Sequence, residues 1–210
     1  CGLGGPAFVM ARDYGARVTG IDIEAPLIER ANARAAELGL ADRADFQLVE
    51  PGPVQFDDES FDVVVSCGAF TQIEDKQTIY DECLRVLRPD GMLSSYEWMK
   101  SEGEYSDDML HWFRMEGLTY ALSTPTSHEQ LLKEVGFVDV STDDRSDWYR
   151  REVAAEYGRL KSDWYSTMVD LIGQQAADHF VEDWRAMTVV CDKGEMLQVY
   201  SRARKPAAQH

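Results

Sequence analysis

The sequence is poor in the residues that build metal centres and disulfide frameworks. Its 210 residues hold four cysteines (Cys1, Cys67, Cys83, Cys191) and four histidines (His111, His128, His179, His210), with no CxxC pair and no metal-ligand spacing. Scattered thiols of this kind read as buried and reduced, which suits a cytoplasmic setting, and no metal is expected. Positive charge is scarce too: 21 lysines and arginines face 38 acidic residues, for a formal net charge of −17. Such a surface repels phosphates, which argues against nucleic acid or an anionic bilayer as a main partner. There is no apolar run of about 18 residues and no secretory leader, so no membrane span is expected. What is plentiful is core material. With 44% hydrophobic residues, the chain is long enough and apolar enough for one α/β domain.

The stretch that organises it stands at the very start, Cys1-Gly2-Leu3-Gly4-Gly5, read together with Asp22. A glycine-rich turn opens a helix over residues 6–13, and a hydrophobic strand over 17–22 ends on a carboxylate. This is the layout of a nucleotide-binding βαβ unit: the glycines let backbone approach a ligand, and the acid accepts bonds from ribose hydroxyls. The strand that should deliver the chain into this turn is not present. We therefore expect a sheet without its first strand, as in a fragment or an incomplete gene model.

The remaining pattern is that of a doubly wound α/β fold. Helices are expected over 25–38 and 74–87, and strands over 45–49, 61–67 and 92–98. The run Phe61-Asp62-Val63-Val64-Val65-Ser66-Cys67 reads as a parallel strand buried on both faces. Helices over 106–120 and 127–135 follow, then a strand over 137–142. Two long helices rich in Trp and Tyr, 147–172 and 174–190, form an expected cap. A closing strand over 195–203 should pair antiparallel at the sheet edge. The whole reads as a single domain: a cofactor half (1–105), substrate-side helices and a strand (106–193), and the closing strand (194–205).

Four motifs in order carry a resemblance: CGLGG, GID, the segment LVEPGPVQFDDESFD with VVVSCGAF, and LRVLRPDGML. Together they resemble the class I S-adenosylmethionine-dependent methyltransferases, over essentially the whole chain. The fold implied is the Rossmann-like, seven-stranded sheet, here lacking its first strand and carrying a helical cap near the C-terminus. The cofactor implied is S-adenosyl-L-methionine. The resemblance sets Gly2 and Gly4 against its methionine part, Asp22 on the ribose, Ile23 on the adenine and Glu50 at the adenine amino group. Cys67 and Gly68 would meet its amino acid end.

The C-terminal half is similar to two small-amine groups, the phosphoethanolamine and the sarcosine/dimethylglycine N-methyltransferases. The stretches that carry this are DRSDWY (144–149), DWR (183–185) and RARK (202–205), while Tyr96-Glu97-Trp98 resembles the YEW of sterol 24-C-methyltransferases. Where these groups keep a His, this chain has Gln72, which has no titratable proton near neutrality and can only orient a substrate. Where the phosphobase group grips phosphate with Arg and Lys, this chain has Leu118 and Met187. A phosphorylated acceptor would lack its charge-assisted bonds. What remains for the substrate is aromatic and acidic: Phe70, Glu97, Trp98, Tyr120, Trp148 and Trp184, with Tyr120 matching a substrate-contacting Tyr of the phosphobase group. Aromatic faces beside a carboxylate suit a cationic or apolar small molecule.

The expectation is an enzyme that methylates a small molecule, most plausibly at an amine nitrogen, with Gln72 at the catalytic position and Glu97 attracting the cation. The alternatives are C-methylation of a sterol or isoprenoid, and a catalytically inactive cofactor-binding module. They separate by acceptor size and by turnover.

Overall fold

The computed structural model describes residues 1–208, so His210 lies outside the described residues. The chain forms two compact units, Cys1–Phe56 and a second that starts at Asp57.

In the first unit the order is α1 (Gly5–Tyr14), β1 (Val18–Asp22), α2 (Ala25–Glu37) and β2 (Ala44–Leu48). Pro6 sits in the first turn of α1, where its missing N–H is not needed. Gly15 ends that helix in the left-handed conformation, with its N–H bonded to Met10 O. β1 and β2 pair in parallel from Val18 opposite Ala44 to Asp22 opposite Leu48, with α2 as the crossover that parallel strands require. Ala31 and Ala35, one turn apart, are fully buried and let α2 lie close to the sheet. Phe8 meets Phe46 edge-on at 5.4 Å and closes the core.

The second unit runs β3 (Phe61–Cys67), a single 3₁₀ turn (Phe70–Gln72), α3 (Lys76–Val86), β4 (Leu87–Lys100), α4 (Asp107–Glu116), α5 (Pro125–Val135), β5 (Val138–Asp144), α6 (Ser146–Leu160), α7 (Tyr165–Ile172), α8 (Gln174–Asp192) and β6 (Met196–Arg204). Its sheet has the order β3-β4-β6-β5, parallel between β3 and β4 and antiparallel on both sides of β6. The described residues thus hold six strands, in a two-stranded and a four-stranded sheet.

Three expectations change. The closing strand β6 is not at an edge but between β4 and β5. Its adjacent Gln198 and Val199 are both fully buried, as a strand covered on both faces requires. β3, by contrast, is the edge strand of this sheet: Val63 and Val65 remain 49% and 43% exposed. The expected long helix over 147–172 is two helices. Ser162 Oγ donates to Gly158 O at 2.7 Å and Trp164 N to Arg159 O at 3.0 Å, closing a turn that interrupts the helical ladder.

Two apolar clusters support this unit. One, around Tyr80, Leu87, Leu93, Leu132 and Phe137, packs α3 and α5 on the sheet. The other joins the cap helices through Met109, Trp112, Val153, Met187 and Val190. Among the described residues no helix is long and apolar enough to cross a membrane.

Candidate active site

In the first unit the glycine turn has the backbone that a ligand cradle needs. Gly2 and Gly4 lie at φ 54° and 78°, in the left-handed region that favours glycine, and Gly4 N donates to Cys1 O at 3.1 Å. A Cβ on Gly4 would stand 2.6 Å from Phe46 Cζ, so a side chain there would push the core apart. At Gly2 no heavy atom beyond its chain neighbours lies within 4 Å of that position, and this face of the turn is open to a ligand.

Asp22, at the end of β1, turns back onto the loop. Its Oδ2 accepts from Gly2 N at 2.8 Å and its Oδ1 from Glu24 N at 3.1 Å. The hydrogen bonds from Gly2 and Glu24 favour the ionised form of this carboxyl, against its burial. It is therefore an ionised acceptor, as a ribose diol requires. Ile23 beside it is 57% exposed, an apolar surface ready to be covered. Val49 N donates to Asp22 O at 3.0 Å, which ties the exposed Glu50 close to the same strand end. These residues fit the nucleoside of S-adenosylmethionine.

In the second unit the chain leaves β3 at Cys67 and Gly68. The Cys67 thiol is pushed up by burial and by the charge of Glu97. Gly68 takes φ 70° and donates its N–H to Tyr96 O at 2.9 Å, and Thr71 Oγ1 donates to Gly68 O at 2.9 Å. Glu97, 3% exposed, lies beneath this turn. Its Oε1 accepts from Ser66 Oγ at 2.5 Å and its Oε2 from Thr71 N at 3.2 Å. Burial raises Glu97 to about 7, opposed by those two bonds and by the Lys76 charge. Lys76 Nζ in turn donates to the carbonyls of Phe70 and Ile73. Glu97 is thus a brace for the turn that presents Gln72, and both its oxygens are engaged. Gln72 itself is exposed. Phe70 points the other way, buried and edge-on to Tyr80 at 5.3 Å, so it packs the core.

Farther along β4, Trp98 opens a cluster of rings. Trp98 meets Trp112 at 5.4 Å and 73°, Tyr120 at 6.0 Å and Tyr149 at 6.4 Å, and Trp112 stacks on Tyr120 at 5.1 Å and 20°. Trp184 packs against the same cluster from α8. Trp148 stands apart from it, 42% exposed, with its ring 6.2 Å from that of Tyr149.

Two acids belong to this cluster, and the sequence reading passed over both. Glu116, the last residue of α4, faces the Tyr120 hydroxyl and the Trp112 indole, and burial raises it. Asp183, 9% exposed, is raised to about 7 by burial and by the charge of Glu116, and its Oδ1 has no hydrogen-bond partner. Neither makes an ion pair among the described residues. Met187 is buried, with its Sδ accepting from Tyr149 Oη at 3.8 Å. Leu118 is 47% exposed.

Comparison with known proteins adds four findings. Residues 1–95 match the family model described as a methyltransferase domain. Over 195 residues, 93% of the chain, it is 27% identical to phosphoethanolamine N-methyltransferase 1 of Arabidopsis thaliana. Over 110 residues, 52% of the chain, it is 37% identical to sterol 24-C-methyltransferase ERG6A of Gibberella zeae, covering 29% of that protein. Among solved structures, Haemonchus contortus phosphoethanolamine N-methyltransferase 2, in complex with phosphomonomethylethanolamine and S-adenosylhomocysteine, superposes with a TM-score of 0.90 at 22% identity, covering 98% of this chain and 47% of that one. The fold is therefore the Rossmann-like one of the S-adenosylmethionine-dependent methyltransferases, as the four motifs suggested. The chain spans about two-fifths of the Arabidopsis relative, 39% of its length.

Proposed function

Proceeding from a matched methyltransferase domain, we propose that this chain acts as one S-adenosylmethionine-dependent methyltransferase domain that methylates a small amine at nitrogen. The observation that carries the reading is the glycine turn with Asp22 bonded back onto Gly2. It offers an open backbone face and a fixed anionic acceptor at one strand end.

When bound, S-adenosylmethionine supplies a methyl group already activated on a sulfonium. In this reading Asp22 receives the ribose hydroxyls, Ile23 covers the adenine and Glu50 reaches the adenine amino group. Cys67 and Gly68 keep the cofactor-side role that the family resemblance gives them. Acceptor binding falls to the second unit. Transfer from an activated donor needs a nucleophile that is desolvated and aimed rather than one that is strongly activated. Gln72 orients it by hydrogen bonding, and the rings of Trp98, Tyr120 and Trp184 exclude water. A neutral amine loses its proton after transfer, so a His in place of Gln72 is not required. Glu97 takes a different part from the one read in the sequence: it holds the Gly68–Gln72 turn in shape.

C-methylation of a sterol or isoprenoid is the second reading, favoured by the 37% identity to the sterol enzyme and by Tyr96-Glu97-Trp98. The test is equilibrium binding of S-adenosylmethionine by calorimetry, wild type against Asp22→Ala. We expect the substitution to weaken binding at least tenfold, about 1.4 kcal/mol. An unchanged affinity would remove the ribose assignment and, with it, the reading.

A further inference from the structure

The two acids of the cap are the polar groups that the proposed transfer leaves unused. Resting on the amine reading, we propose that Asp183 and Glu116, beside Trp112 and Tyr120, form a seat for an alkylammonium group. The acceptor is then a small organic cation with no phosphate or carboxylate of its own.

The first support is an absence of partners where a structural acid would have them. A buried carboxylate is costly unless paired or fully hydrogen-bonded. Asp183 is more than nine-tenths buried, yet Oδ1 has no partner. Glu97, also buried and in the same unit, has both oxygens bonded.

Second, two like charges are held together in this place. The charge of Glu116 raises Asp183, and both acids raise Tyr120. The exposed His179 opposes the rise of Asp183, and the Tyr120 hydroxyl and the Trp112 indole oppose that of Glu116. Glu116 is also the C-terminal residue of α4, at the negative end of the helix dipole, where a carboxylate is disfavoured. A bound cation relieves all three penalties at once.

Third, the walls suit the same ligand. Ring faces attract a cation within about 6 Å of their centroids, most strongly for Trp. Glu116 faces the Tyr120 hydroxyl and the Trp112 indole, and Trp112 stacks on Tyr120, so aromatic surface stands beside the acids. An anionic acceptor finds nothing comparable here, since Met187 and Leu118 occupy the places of a phosphate grip. Because the nitrogen that accepts a methyl must be neutral, a cation seated here belongs to a second nitrogen of the same molecule, or to the methylated product.

The test is titration of the full chain with tetramethylammonium chloride, followed by tryptophan fluorescence. Phosphocholine and sodium chloride serve as comparisons at matched ionic strength, and S-adenosylmethionine affinity is measured on the same samples. Wild type should bind tetramethylammonium saturably and phosphocholine at least tenfold more weakly. Asp183→Asn and Glu116→Gln should each weaken tetramethylammonium at least tenfold while circular dichroism and cofactor affinity stay unchanged. Two variants are used so that a folding defect in one leaves the other informative. Non-saturable binding, equal affinity for phosphocholine, or affinity untouched by both substitutions would overturn the proposal. Lost cofactor affinity with intact tetramethylammonium binding would instead count against the methyltransferase reading.

Discussion

Two regions of the second unit each bury a carboxylate held at about 7, and they do opposite things with it. At the end of β3 and β4, Glu97 accepts from Ser66 and from the Thr71 amide and lies near the Lys76 ammonium. In the helical cap, Asp183 has an oxygen with no partner and a second acid beside it. Equal proton affinity therefore does not mean equal role. Partners separate them: a saturated acid holds backbone in shape, and an unsaturated one is poised for something that is not part of the chain.

The largest expected effect breaks the saturated side. Glu97→Ala leaves the Ser66 hydroxyl and the Thr71 amide buried without an acceptor and should destabilise the fold by about 3 kcal/mol in urea unfolding. Asp183→Asn removes an unpaired charge and should leave stability unchanged or raise it by up to about 1 kcal/mol. If the two losses were similar, the distinction between brace and ligand seat would be lost.

A smaller effect concerns pH. Both acids bind protons more tightly folded than unfolded, from ordinary values of 4.5 and 3.8 up to about 7. The folded state then holds the extra protons. The stability they contribute is fully present below about pH 4 and is lost as pH rises through about 7. Melting temperature should fall over that window. Glu97→Gln and Asp183→Asn should each flatten part of the slope. Saturating tetramethylammonium should cancel only the Asp183 part, because the cation favours its ionised form. A slope that ignores the cation would mean that Asp183 does not meet it.

The smallest effect is expected at Trp148. Its ring is 42% exposed and outside the cluster, so Trp148→Ala should cost less than about 0.5 kcal/mol and leave cation binding intact.

Much of the scaffold was legible because its signals are local. The glycine turn, the acid at the end of β1 and the bounds of β3 follow from neighbouring residues. Where pairing partners decide, the sequence misleads. Val63-Val64-Val65 looks doubly buried, yet β3 has one neighbour in its sheet, and β6 looks like an edge yet has two. The break over 161–164 depends on a Ser hydroxyl returning to Gly158, a detail that periodicity does not register.

The candidate site divides in the same way. Gly2, Gly4, Asp22 and Ile23 fall within one short span of sequence. The acceptor side draws on β4, α4, the segment after it and α8, which only folding brings together. Asp183 stood in view beside Trp184, but an acid on an amphipathic helix normally faces solvent. Glu116 carried one usable signal, an acid at a helix C-terminus where the dipole disfavours it. Glu97, read in the sequence as the group that attracts a cation, has both oxygens hydrogen-bonded, and bonds from Ser66 and Thr71 are invisible before the strands are paired.

The most direct measurement is labelled-methyl transfer from S-adenosylmethionine to N,N-dimethylethylenediamine and to phosphoethanolamine, compared as kcat/KM under one condition. The diamine offers a neutral nitrogen beside a cationic one, and phosphoethanolamine offers an amine beside a phosphate. Preference for the diamine by tenfold or more, lost in Asp183→Asn, is the predicted result. Preference for phosphoethanolamine, undiminished by that substitution, would contradict it.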